Sequence, residues 1–147
     1  MNKTDMTSKG FTLIETLLVI AIAGILITLA YPTYLDYIVR VRRVDGKTAL
    51  IDLANRLEHY YAIHHSYQSA TLATGKNTDV QNTNVSPEGW YTLSIESQTA
   101  TTYELKATAQ KAQAFDKIIC QELTFNYLGI KGTHPDTGSN AALSACW

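Results

Sequence analysis

Two cysteines, four histidines and one isolated glutamate are the residues whose types and spacing could do chemistry in this chain. Cys120 and Cys146 form no C-x-x-C pair, and four Cys/His ligands at zinc spacing are absent. They are either two thiols of an intracellular protein or, in an exported one, the halves of a disulfide. His59, His64 and His65 crowd together, and His134 stands far along the chain. Adjacent His64 and His65 would point about 100° apart on a helix, a poor arrangement for one metal. Histidines near a helix C-terminus explain them more simply. No Ser/His/Asp or Cys/His set stands out, and the carboxylates are scattered without an acid–base pair. His134-Pro135-Asp136-Thr137-Gly138-Ser139-Asn140 offers loop oxygens to calcium, but Asp136 is its single carboxylate. The chain is therefore expected to have no catalytic residues, no metal site and no cofactor, and not to be an enzyme.

Charge narrows the partners. Lys and Arg number 12 against 13 Asp and Glu over 147 residues, a net charge of −1. Arg40, Arg42, Arg43 and Lys47 cluster, while Lys106, Lys111, Lys117 and Lys131 are spread thinly. Without a basic stripe a nucleic-acid partner is disfavoured, though it stays open as an alternative. The length suits one domain. Charged residues are 17% of the chain because apolar ones crowd near the N-terminus, which excludes an ordinary cytosolic globule.

That crowded stretch is residues 11–31, FTLIETLLVIAIAGILITLAY, with Glu15 its single charge. At ~1.5 Å per residue it reaches ~31 Å, enough to cross a bilayer. A short polar leader with Lys3, Asp5 and Lys9 precedes it, and either Met1 or Met6 is a possible start. A secretory signal peptide would be cut after the apolar run, where Thr28-Leu29-Ala30 offers a small-x-small site. A plain transmembrane anchor leaves Glu15 without a reason, since an acid at mid-membrane costs ~2.5–3.5 kcal/mol.

Gly10-Phe11-Thr12-Leu13-Ile14-Glu15 resembles the processing site of type IV prepilins: a short basic leader ending in Gly, then Phe, then an apolar helix with Glu at its fifth position. The likeness continues through Gly24 and Ala30-Tyr31-Pro32-Thr33-Tyr34. It implies cleavage after Gly10 by the prepilin peptidase and N-methylation of Phe11. Glu15 would lie on the same helix face as Phe11, about 6 Å along the axis. A neighbouring helix shifted by that amount would bring its Phe11 ammonium beside this carboxylate, pairing two charges that hydrocarbon penalises singly. Gly24 and Pro32 mark a stretch that either loosens when subunits pack or holds one static kink.

The remaining elements follow from periodicity. Leu35, Ile38, Val41 and Val44, then Leu50, Leu53, Ala54, Leu57, Tyr60 and Tyr61, recur at threes and fours. Asp36, Arg40, Arg43, Lys47, Asp52 and Arg56 fill the other faces, so one helix of ~80 Å is expected from Phe11 to about Ile63. Residues 64–89 read as a polar loop. Trp90–Ile95, Tyr103–Ala107 and Leu123–Tyr127 alternate as strands, with Gln98–Thr101 as a turn. The expected fold is α+β: a long N-terminal helix on a three- to four-stranded antiparallel sheet. A Cys120–Cys146 bridge would close a loop worth ~3 kcal/mol.

The whole layout is similar to that of type IV pilins. Arg42-Arg43-Val44-Asp45-Gly46-Lys47, Leu57-Glu58-His59-Tyr60-Tyr61, Tyr91-Thr92-Leu93-Ser94-Ile95 and the terminal Cys146-Trp147 look most like a PilE-type minor pilin. Counting basic residues alone would keep the C-terminal part in the cytoplasm. The cysteines and the resemblance place it outside, and Asp36 and Asp45 dilute the charge. The division expected is a cleaved leader over 1–10, a membrane and filament-core helix over 11–31, and a periplasmic domain over 32–147. In that domain the helix runs to about 63, a loop covers 64–89, and the sheet with a disulfide-bounded end covers 90–147. The role implied is a minor pilin that primes or supports pilus assembly, with other pilins, the prepilin peptidase, the assembly machinery and inner-membrane lipid as partners. It would pass from the inner membrane of a Gram-negative bacterium to an extracellular pilus. A major pilin, a type II secretion pseudopilin and a DNA- or surface-binding tip subunit are the alternatives.

Overall fold

The computed structural model describes residues 10–135 and 138–147. The leader over residues 1–9 and the Asp136–Thr137 part of the C-terminal loop lie outside the described residues. Two compact units divide at Tyr37/Ile38. The first, to Tyr37, is purely helical once the helix has begun. The second, Ile38–Trp147, holds the sheet.

Helix α1 spans Leu13–His64 and passes through Gly24 and Pro32 without interruption. Thr12 starts it. The Thr12 carbonyl accepts from the N–H groups of Glu15 (3.1 Å) and Thr16 (3.2 Å), and its hydroxyl lies 3.4 Å from the Glu15 nitrogen. Threonine followed three residues later by glutamate is the spacing of a capping box, and an acid in the first turn suits the helix dipole. His65 ends the helix with a φ of 54°, its N–H on the Tyr61 carbonyl at 2.8 Å.

Alternation builds the main sheet. Strands β3 (Tyr91–Gln98), β4 (Tyr103–Ala109), β5 (Glu122–Asn126) and β6 (Lys131–His134) pair antiparallel in that order. One row across all four strands, Leu93–Ala107–Leu123–Thr133, is buried. It packs with Ala49, Leu50, Leu53, Ala54, Leu57 and Tyr60 of α1 in one apolar core. Gly46 carries the closest approach: a Cβ there would meet the Tyr91 ring at 2.8 Å. Gly46→Ala should therefore lower the unit's stability by about 1–3 kcal/mol, read as a shift in thermal denaturation. An unchanged midpoint would mean that the Tyr91 ring moves aside freely.

Three features depart from the periodicity reading. Val41 and Val44 are exposed, whereas Arg43, Asp45 and Gly46 are the buried residues of that turn. The helix face toward the sheet is polar there because it anchors two loops. Asp45 accepts from the Ser86 hydroxyl (2.5 Å) and from the N–H groups of Glu88 (3.0 Å) and Trp90 (3.2 Å). The stretch after α1 is not a plain loop. Strands β1 (Thr71–Leu72) and β2 (Asp79–Gln81) pair parallel. Third, the C-terminal tail contributes β6 and a short helix α2, Asn140–Cys146.

Asp79 organises the β1–β2 connection. Its carboxylate accepts from the hydroxyls of Thr71 (2.6 Å) and Thr74 (2.7 Å) and from the N–H groups of Thr74 (2.8 Å) and Gly75 (2.6 Å). These donors, the Thr71 hydroxyl foremost, hold its pKa down at about 2 against the usual 3.8. A depressed carboxylate contributes order that is present above pH 3.8 and lost as pH falls through about 2. Acid titration followed by amide NMR should show residues 71–79 loosening in that window, and Asp79→Asn should show them loose at pH 7. Unchanged amide shifts in the Asn variant would overturn this assignment.

Candidate functional site

The apolar face of residues 11–37 is the first candidate, because it has no covering in the isolated chain. Phe11 is 79% exposed, and every large apolar side chain from Leu13 to Tyr37 is exposed as well. Soluble monomers rarely leave so long an apolar run bare. The helix that carries it is long and apolar enough to cross a membrane, by length and composition. Gly10 precedes it outside any helix or strand, with open space where a Cβ would stand. Glu15 sits exposed in the first turn. Gly24 and Pro32 lie within the same helix. Gly10, Phe11, Glu15, Gly24 and Pro32 thus share the first unit, while the cysteines belong to the second.

Cys120 and Cys146 are bonded to each other, and both are fully buried. The bridge ties a 3-10 turn, Ile118–Cys120, to the end of α2. Trp147 completes that corner. Its indole N–H donates to the Gly132 carbonyl at 2.7 Å, and its own carbonyl accepts from Lys47 Nζ at 2.8 Å. Burial, with the nearby charges of Arg43 and Lys131, pulls the Lys47 pKa below its usual value.

A buried ion pair lies next to this corner. Arg43 donates through Nε to Asp116 Oδ2 (2.6 Å) and through Nη2 to Oδ1 (2.5 Å), and Nη1 reaches the Ala145 carbonyl (2.7 Å). Gln113 Nε2 joins them by donating to Asp116 (3.0 Å), the Tyr91 hydroxyl (3.2 Å) and the Val39 carbonyl (3.2 Å). Sequence reasoning missed this set, since Arg43 and Asp116 are 73 residues apart and no local pattern joins them. It also splits the basic quartet. Arg43 is buried, Lys47 is half-buried, and Arg42 lies over the Trp90 ring at 3.8 Å. Arg40 stays exposed.

At the far end of α1, Glu58 accepts from the hydroxyls of Tyr67 (3.0 Å) and Tyr103 (3.0 Å). Tyr61 stacks on Tyr67 with centroids 4.6 Å apart. Burial first, then the Glu58 bond, raises the Tyr67 pKa to about 12. His59, His64 and His65 are exposed and spread along the helix end. Among the described residues no three His, Cys, Asp or Glu side chains gather as metal ligands do.

A bare apolar helix behind a Gly-Phe step and most of the helix-on-sheet unit are matched by known families. Residues 5–31 match the prokaryotic N-terminal methylation motif. Residues 32–124 match the family described as "Type IV minor pilin ComP, DNA uptake sequence receptor". The chain belongs to this minor pilin family. A fimbrial protein of Neisseria meningitidis is 34% identical over 90 residues, 60% of this chain and 49% of that protein. The type IV major fimbrial protein FimA of Dichelobacter nodosus is 55% identical over 38 residues, 26% of this chain and 24% of that one. The chain thus spans about half the length of the first relative and about a quarter of the second. Among solved structures, the Neisseria meningitidis non-core minor pilin PilV is similar with a TM-score of 0.51. That match covers 71% of this chain and 94% of PilV at 15% identity, a likeness of fold. A minor pilin has a structural fold, and the sheet and long helix fit it.

Proposed function

We propose that this minor pilin is a filament subunit that waits in the inner membrane and then enters a type IV pilus through residues 11–31. One observation carries the reading: the apolar side chains of that segment are all but uncovered in the single chain, so lipid or other helices must cover them. At ~25 cal/mol per Å² the burial of such a surface is ample to hold the chain in either setting. Cleavage after Gly10 would free the Phe11 amine, and Glu15 would receive the amine of a neighbour. The partners proposed are other pilins, the prepilin peptidase and the assembly machinery. The Ile38–Trp147 unit would face the periplasm, and the role is structural, not enzymatic. Co-expression with a prepilin peptidase tests the first step. The chain should shorten to begin at Phe11, whereas a chain cut after Ala30 or left whole would overturn the reading.

A second reading, a receptor for DNA carried on the pilus, draws on the description of the family that residues 32–124 match. Cations over aromatic rings, Arg42 on Trp90 (3.8 Å) and Lys131 on Trp147 (5.3 Å), are the chemistry it would use. Fluorescence anisotropy with the full chain in detergent and labelled duplex DNA decides it. Binding that weakens in Arg42→Ala and falls steeply with salt would support it. No binding at ~50 mM salt would dismiss it.

A further inference from the structure

The connection between β4 and β5 carries the most exposed large apolar side chain among the described residues. Phe115 is 90% exposed, and Ile118 beside it is 69% exposed. An exposed phenylalanine on a mobile loop would say little, but this one is held in place. Gln113 and Asp116 on either side of it are buried, and they fasten the segment to the Val39 carbonyl and to Arg43. The segment itself is a 3-10 turn, Lys111–Phe115, followed by a second, Ile118–Cys120, that the disulfide secures. The fold therefore holds two bare apolar side chains, Phe115 and Ile118, on a segment fastened through Gln113, Asp116 and Cys120.

Charge selects the occupant. Lys111 and Lys117 bracket Phe115 in the chain, and both are exposed. Arg40, one residue past the Val39 anchor, is exposed too. Asp116 is spent on Arg43 and Asp45 on the loop 86–90, which leaves two exposed acids on the flanking chain, Glu88 and Asp36, the latter one helical turn before Arg40. An exposed ring with exposed lysines close by in the chain suits an interface with an anionic lipid surface, where rings enter the acyl boundary and cations meet headgroups.

We propose that Phe115 and Ile118, with Lys111, Lys117 and Arg40, form a lipid-contact site that seats the Ile38–Trp147 unit on an anionic membrane before assembly. This rests on the membrane-anchored state proposed above. The site adds a second, weaker hold to the inserted helix and sets which end of the unit faces the bilayer.

Spin labelling tests it in the full processed chain. The cysteines present are bonded to each other, so a nitroxide can be placed on Ala114→Cys beside an intact Phe115. Leu128→Cys on the β5–β6 turn serves as an aqueous reference and Ile20→Cys as a lipid one. The vesicles are phosphatidylethanolamine with about a quarter phosphatidylglycerol. At position 114 oxygen should relax the label about threefold more than at 128, with less access to a water-soluble nickel chelate. Adding Phe115→Ser should abolish the difference without moving the thermal midpoint. A label at 114 as aqueous as that at 128, while position 20 stays in lipid, overturns the lipid-contact site and leaves the anchor standing. A label at 20 in water overturns both. A label at 114 that is aqueous in vesicles and immobilised only in filaments assigns Phe115 to a subunit contact and overturns the lipid assignment.

Discussion

Replacing Asp116 with alanine should destabilise the Ile38–Trp147 unit by about 3–5 kcal/mol. Arg43 is 5% exposed and Asp116 is 6% exposed, so neither charge has water to fall back on. The variant keeps the Arg43 bond to the Ala145 carbonyl but loses both Asp116 oxygens and the negative charge they carry. Gln113 Nε2 and the Lys117 N–H lose an acceptor in the same step. The loss is the cost of leaving a charge buried, not the worth of the pair. Arg43→Met combined with Asp116→Leu should therefore recover most of it, because apolar replacement removes both charges at once. Urea denaturation of the full chain in detergent reads both variants. A loss below about 1 kcal/mol for Asp116→Ala would mean the pair behaves as a solvated one.

Glu15→Val should cut entry into filaments by about tenfold or more while leaving the amount of chain in the membrane unchanged. The proposed pairing of Glu15 with a neighbour's Phe11 amine joins two charges that hydrocarbon penalises separately. A missing acid leaves that amine unmatched, and a tenfold effect needs only about 1.4 kcal/mol. Glu15 stands exposed in the first turn of α1, where an incoming helix can reach it. Valine keeps the segment apolar, so membrane insertion should not suffer. Normal incorporation of the Val variant would remove Glu15 from any part in registering subunits.

How far the chain could be read depended on where its order is stored. The N-terminal motif was legible because Gly10, Phe11, Glu15 and the apolar run stand in a fixed local spacing. The helix half from Ala49 to Tyr60 was legible because its core face repeats at threes and fours. Strands β3, β4 and β5 alternate cleanly enough to be located, β4 and β5 within two residues, while β3 runs three residues past the expected Ile95 and takes in Gln98, which read as part of the turn. The β1–β2 pair was not legible, since two and three residues are too few to alternate and Asp79 side-chain bonds hold them together. Strand β6 offers one buried side chain, Thr133, and gave no pattern. Arg43 read as a solvated charge because helical spacing shows which face a residue takes, not which distant acid meets it there. Phe115 gave no signal at all, as bareness belongs to the fold and not to the residue.

The account turns on whether this minor pilin is a filament component. Filaments sheared from the cell surface, compared with the membrane fraction by quantitative mass spectrometry, answer that directly. The chain should appear in the sheared material, beginning at an N-methylated Phe11, at a level well below that of another pilin. Its absence from sheared filaments, with the shortened chain still present in the membrane, would contradict the account, and so would its being the dominant subunit.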